Sequence, residues 1–168
     1  MALLGEAIVE PDEIFKYFGT KKDVECGILY NANMMVNIFN SIATRDVRML
    51  QIDNSRFKVP STGCFMNYVR CHDDIGWGLS EDKLRELGFD PYLHKQFLIE
   101  FYSKNFKGSF SKGELYQFNP LTNDARTNGT LASLLGLERA KDESDSFGRV
   151  YSLNRIKLVH GLIFSHRG

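Results

Sequence analysis

Three short apolar runs, separated by segments with helical spacing, organise the first half of the chain. Ala2 to Val9 reads as a short buried strand that Pro11 breaks. Asp12 to Phe18 predicts a short helix closed by Gly19, and Val24 to Tyr30 predicts a second strand. From Ala32 to about Ile52, the apolar positions Met35, Ile38, Phe39, Ile42, Met49 and Leu50 recur at three- and four-residue steps. That spacing predicts one long helix. Cys64 to Cys71 forms the third predicted strand. Alternation of strand and helix implies parallel strands joined by right-handed crossovers, and their apolar character implies that both faces are covered.

Beyond Trp77 the pattern changes. Ser80 is placed to cap a short helix over Glu81 to Leu87, closed by Gly88. Pro91 to Phe106 is aromatic-rich and reads as helical. Lys107 to Gly129, dense in Gly, Ser and Asn, reads as loop. A short helix follows near Thr130 to Leu137, then a polar hinge at Asp142 to Ser146. Arg149 to His166 reads as an amphipathic helix with Tyr151, Ile156, Val159, Leu162 and Ile163 toward one side. Three parallel strands cannot close a barrel, and both lateral edges of such a sheet would be unpaired. The pattern therefore reads as the middle of something larger.

Composition narrows the partners. The 168 residues suffice for one domain with a core. With 21 basic and 21 acidic residues, the zero formal charge supplies no electrostatic reason to expect nucleic acid or an anionic membrane. The richest apolar stretch, Leu158 to Phe164, is short and interrupted by His160 and Gly161, so no membrane partner is expected. The N-terminal residues lack the basic start and apolar core of a signal peptide, which makes the cytoplasm the default expectation. Cys26, Cys64 and Cys71 form no CxxC pair and read as small buried thiols rather than as a zinc or redox site.

The candidate chemistry concentrates in Asn67-Tyr68-Val69-Arg70-Cys71-His72-Asp73-Asp74-Ile75-Gly76-Trp77. Ionisable side chains at the exit of a buried strand are costly to keep without a task, and parallel barrels carry their catalytic groups at such carboxyl ends. Glu6, inside the first predicted strand, is a second carboxylate in a comparable place. Glycosidic cleavage uses one carboxylic acid to protonate the leaving oxygen and further carboxylates to support an oxocarbenium-like transition state. Plainer readings stand beside this one. Glu6 could be a solvent-exposed strand end or a salt-bridge partner, Asp74 a loop cap, Trp77 core, and Arg126 an ordinary surface arginine. A metal site at His72-Asp73-Asp74 is disfavoured, because adjacent strand residues face opposite sides.

In these blocks the chain resembles the amylosucrase branch of the α-amylase superfamily, glycoside hydrolase family 13. Gly5-Glu6-Ala7-Ile8-Val9-Glu10-Pro11-Asp12-Glu13 resembles that family's fifth-strand block. Tyr30-Asn31 and Ala43-Thr44-Arg45-Asp46 resemble the following strand end and helix. Asn67 to Trp77 resembles the seventh-strand block, with the His-Asp pair and this branch's extra Asp. Gln117-Phe118-Asn119-Pro120 through Arg126 and Gly129 resembles the insertion that follows.

The resemblance implies a role for each matched residue. Glu6 would be the general acid/base and Asp73 the transition-state stabiliser. His72 would contact the donor sugar. Asp74 and Arg126, with Gln117 a weaker candidate, would hold fructose of sucrose or the incoming glucan end. The implied reaction is retaining glucosyl transfer from sucrose to an α-glucan or to water, without metal or organic cofactor. The implied fold is α/β, a partial (β/α)₈ TIM barrel. Strands five to seven would lie in 1–74, an inserted and mainly helical subdomain in 75–145, and a barrel helix in 146–168.

No block of this chain resembles the family's nucleophilic aspartate, so the expectation is an internal portion of such an enzyme, inactive alone. The alternative is a non-catalytic remnant that binds sugar or a partner. A maltose-transferring or trehalose-forming relative is a third option, which the insertion bearing Arg126 disfavours. Self-association through exposed barrel edges is expected in either of the first two cases.

Overall fold

The computed structural model of the chain describes residues 3–7, 9, 12–56, 58–61 and 63–168. These residues are mixed α/β, with a three-stranded sheet, a two-stranded sheet and helices between and after them. They divide into two compact units, residues 1–68 with 162–168, and residues 69–161.

In the first unit, β1 (Leu4–Gly5), β2 (Ile28–Tyr30) and β3 (Cys64–Met66) pair in parallel in that order, as the alternating pattern predicts. Leu29 lies opposite Phe65 in the register. Both pack on Ile14 and Phe18 of a 3₁₀ helix, Ile14–Phe18, to make the core of this unit. The Phe18 and Phe65 rings meet edge to face at 5.1 Å, a geometry the ring quadrupoles favour. Gly19 ends the 3₁₀ helix at φ +71°, where a side chain would be strained.

All three strands are shorter than expected, and at the second and third the causes are local. At the first, Ala2, Ile8, Glu10 and the expected breaker Pro11 lie outside the described residues, and Leu3 and Leu4 are exposed rather than buried. Upstream of β2, Thr20 N–H donates to the Asp23 carbonyl, forming a tight turn that leaves Val24 only an isolated bridge to Gly19. β3 stops at Met66 because its neighbour turns away. Asn31 N–H donates the last bond to the Met66 carbonyl, and the Asn31 side chain then accepts from Met34 N–H as the N-cap of the next helix. Cys64 and Met66 are exposed, so the expectation of strands covered on both faces is also corrected.

The predicted helix from Ala32 to Ile52 is two helices, α1 (Ala32–Thr44) and α2 (Arg48–Arg56). Thr44 Oγ1 donates back to the Asn40 carbonyl and accepts from Asp46 N–H, while Arg45 takes a left-handed φ of 59°. Asp46 then accepts from Arg48 N–H and restarts the chain. Apolar spacing continued across this break, but local side-chain bonding ended the helix.

The second unit is built on aromatic packing. Trp77 stacks on Tyr102, with ring centroids 5.2 Å apart. Phe101 packs edge to face with Tyr102 and with Phe110. Helices α3 (Glu81–Glu86) and α4 (Pro91–Tyr102) match their predicted starts, and the Asp90 side chain caps α4 by accepting from Leu93 N–H. The expected loop at 107–129 instead contains a hairpin, β4 (Glu114–Asn119) with β5 (Asp124–Asn128), irregular between Tyr116 and Asn119. The predicted helix near Thr130 is α5 (Leu131–Leu134), separated by Gly136 at φ +92° from α6 (Leu137–Asp142). The last helix, α7 (Ser146–Ser165), starts earlier than predicted. It buries Ser152 and Val159 but exposes Tyr151, which the expected apolar face had included. Among the described residues no helix is long and apolar enough to cross a membrane.

Candidate functional site

Glu6 belongs to the first unit, whereas His72, Asp73, Asp74 and Arg126 belong to the second. Glu6 follows β1 directly and is exposed, so it stands at the strand's carboxyl end rather than inside it. Its neighbour Gly5 is constrained by packing. A Cβ there would come within 2.6 Å of the Leu29 side chain and 2.8 Å of Cys26 Sγ. At the ends of β2 and β3, Asn31 Nδ2 donates to Asn67 Oδ1 at 2.9 Å, and Asn67 Nδ2 donates to the His166 carbonyl. Tyr30 and Tyr68 meet edge to face at 5.3 Å beside this pair.

In the second unit, residues 69–77 form an anchored connection rather than a strand. Val69 is buried. Arg70 Nε donates to the Gly129 carbonyl at 2.9 Å, and its Nη1 donates to the Asp73 carbonyl at 2.6 Å. One guanidinium thus closes the turn that carries Cys71, His72 and Asp73. The sequence carries no signal for this role, because both partners of Arg70 are backbone carbonyls. Ile75, fully buried, makes an isolated antiparallel bridge with Thr127, through N–H···O bonds of 2.9 and 3.0 Å. Trp77 Nε1 donates to Thr127 Oγ1 at 3.0 Å, which makes Trp77 a core residue and not an open sugar platform.

These anchors hold the predicted polar groups at the surface. The His72 side chain is 82% exposed, and its Nε2 lies 3.4 Å from Asp73 Oδ1. Cys71 Sγ lies 3.5 Å from Asp73 Oδ2. Asp74 immediately precedes Ile75 and Arg126 immediately precedes Thr127, so the bridge sets their two segments side by side. Arg126 is exposed and lies opposite Tyr116 in the hairpin register. Gln117, also exposed, occupies the irregular part of β4 at φ +51°.

Residues 71–73 lie outside any strand, so strand alternation gives no argument against a shared ion there. The donor atoms of Cys71, His72 and Asp73 all fall within 4.8 Å of one another. Cys64, expected as a buried thiol, is exposed, while Cys26 and Cys71 are half-buried. A comparison with protein-family models finds none that matches this chain.

Proposed function

We propose that the chain is part of an α-amylase-superfamily enzyme of the amylosucrase or sucrose-hydrolase type, acting on sucrose or α-glucans with retention. The observation that carries this reading is the pairing of Ile75 with Thr127. It joins two segments that are distant in sequence and that bear Asp74 and Arg126, the residues the family resemblance assigns to one acceptor surface. The parallel order of β1, β2 and β3 supports the barrel part of the reading, with Glu6 following the first strand and His72-Asp73-Asp74 the third. On this reading, residues 1–74 supply barrel strands five to seven, 75–145 an insertion containing helices and a hairpin, and 146–168 a barrel helix.

Each residue then has a chemical task. The Glu6 carboxyl protonates the leaving fructosyl oxygen and, as carboxylate, later takes a proton from the acceptor hydroxyl. Asp73 holds the sugar hydroxyl beside the anomeric carbon, and His72 holds the same ring. Asp74 accepts from acceptor hydroxyls while Arg126 donates to them. Covalent retention also requires a nucleophilic carboxylate. No block of these 168 residues resembles the family's, so the reading places that group outside them.

The corresponding test is fructose release from sucrose by the purified chain, beside a Glu6→Gln control. The reading predicts no release above the control. Release that Glu6→Gln abolishes would show that the chain holds its own nucleophile and would overturn this assignment of parts.

A further inference from the structure

Residues 71–73 carry three chemically different metal donors on one short turn. The turn is not free to spread, because Arg70 bonds both the Asp73 carbonyl and the Gly129 carbonyl. The thiol and the imidazole both approach the Asp73 carboxylate, at 3.5 Å from Oδ2 and 3.4 Å from Oδ1 respectively. Zinc binds sulfur at about 2.3 Å and nitrogen or oxygen at about 2.0–2.2 Å in a tetrahedron. The S···O and N···O edges of that tetrahedron are therefore about 3.3–3.7 Å. Each separation matches one such edge, but to a different oxygen of Asp73, and the three donor atoms all lie within 4.8 Å of one another, so rotation of the exposed imidazole and the carboxylate is what brings sulfur, nitrogen and one oxygen onto a single ion. The exposed His72 ring is free of packing that would stop it turning toward the thiol.

We propose that Cys71, His72 and Asp73 form a binding site for one zinc ion, with three protein ligands and a fourth position open to water. The donor set selects the class of ion. Thiolate and imidazole favour zinc, whereas calcium and magnesium favour all-oxygen shells. Binding converts the Cys71 thiol to a zinc-bound thiolate and releases its proton to solvent, with no change of oxidation state. The carboxylate already adjoining the thiol and the imidazole becomes the third ligand. Metal uptake does not depend on the sugar reading. If that reading holds, zinc occupies His72 and Asp73, two groups the sugar needs, so the ion acts there as a competitive inhibitor.

The test is equilibrium competition between the reduced, metal-free full chain and a chromophoric zinc chelator. The expected result is one zinc per chain. Cys71→Ser and His72→Ala should each weaken binding by at least about 10–100-fold, the loss known for weaker, outer-shell changes. A double variant, Cys26→Ser with Cys64→Ser, should bind like the parent. Cobalt(II) supplies a second readout, since a thiolate ligand produces an intense near-ultraviolet charge-transfer band that Cys71→Ser must remove. Circular dichroism of the exposed-site variant His72→Ala separates loss of metal from loss of fold. Zinc binding that survives Cys71→Ser, or no stoichiometric binding at all, overturns the proposal. Zinc binding without any sugar binding would uphold this site while contradicting the function proposed above.

Discussion

Arg70 shows how one side chain can organise a candidate site without joining its chemistry. Its two hydrogen bonds join the turn at Asp73 to Gly129, near the end of the hairpin. Arg70→Ala would leave both carbonyls without that donor. Charged hydrogen bonds of this kind contribute about 1.5–3 kcal/mol. Chemical denaturation should register a loss of that order, and amide exchange at 71–74 should quicken. Unchanged exchange in that turn would remove Arg70 from its positioning role. Glu6, His72, Asp73 and Asp74 stand out in the sequence because charged residues beside apolar runs are conspicuous, whereas Arg126, in a polar stretch, stands out only through the family resemblance. Arg70 does not, because a partner that bonds only carbonyls leaves no mark in the side-chain pattern. Cys71 reads from the sequence as a small buried thiol, and its closeness to the His72 and Asp73 side chains emerges only from the turn that holds them.

At the level of elements, periodicity located the strands of the first sheet and most helices, but it placed their ends poorly and did not reveal the hairpin. The parallel order of β1, β2 and β3 follows from alternation, yet β2 and β3 are bounded where a turn or a side chain takes over the hydrogen bonds. Asn31 and Thr44 are the clearest cases, one stopping a ladder and the other stopping a helix. The hairpin at 114–128 leaves little trace in the sequence because β4 is exposed along its whole length, so burial imposes no two-residue pattern on it. β5, with Ala125 and Thr127 buried, did carry that pattern, in a stretch whose polar composition reads as loop.

Helices α1 and α2 are tied by a buried polar contact in which Asn37 Nδ2 donates to Asp53 Oδ2 at 2.7 Å. Burial raises the Asp53 carboxyl above its ordinary range, while the Asn37 bond and Arg56 oppose that rise. A raised folded pKa means that the folded state favours the protonated acid. Its contribution to stability is full below the ordinary carboxylate pKa and is lost as pH rises through the raised one. Asp53→Asn, which cannot ionise, should remove that part of the stability–pH slope. A variant whose slope matches the parent's would show that Asp53 is not the group responsible.

Across the whole molecule, exposed apolar surface is the dominant physical fact. Leu3, Leu4 and Met66 are open at the three-stranded sheet, and Phe147, Val150, Tyr151, Leu158 and Phe164 are open along α7. Large apolar side chains left in water in this number favour association. The chain should sediment as a concentration-dependent mixture of oligomers, and sedimentation as a clean monomer across a wide concentration range would contradict this. Zero formal charge removes the repulsion that would otherwise oppose such contact. The aromatic second unit was foreseen only as aromatic-rich helix; its stack of Trp77 on Tyr102 brings together residues that no local pattern connects.

The central claim is that the segments bearing Asp74 and Arg126 form a sugar-binding surface. Calorimetric titration of the full chain with sucrose and with maltooligosaccharides tests it most directly, alongside a variant carrying both Asp74→Ala and Arg126→Ala. Each lost charged hydrogen bond corresponds to about a tenfold or greater loss in affinity. The account predicts saturable heat with the parent chain and a titration weakened by at least about a hundredfold in the double variant. A flat titration of the folded parent with every sugar, or equal binding by parent and variant, would contradict it.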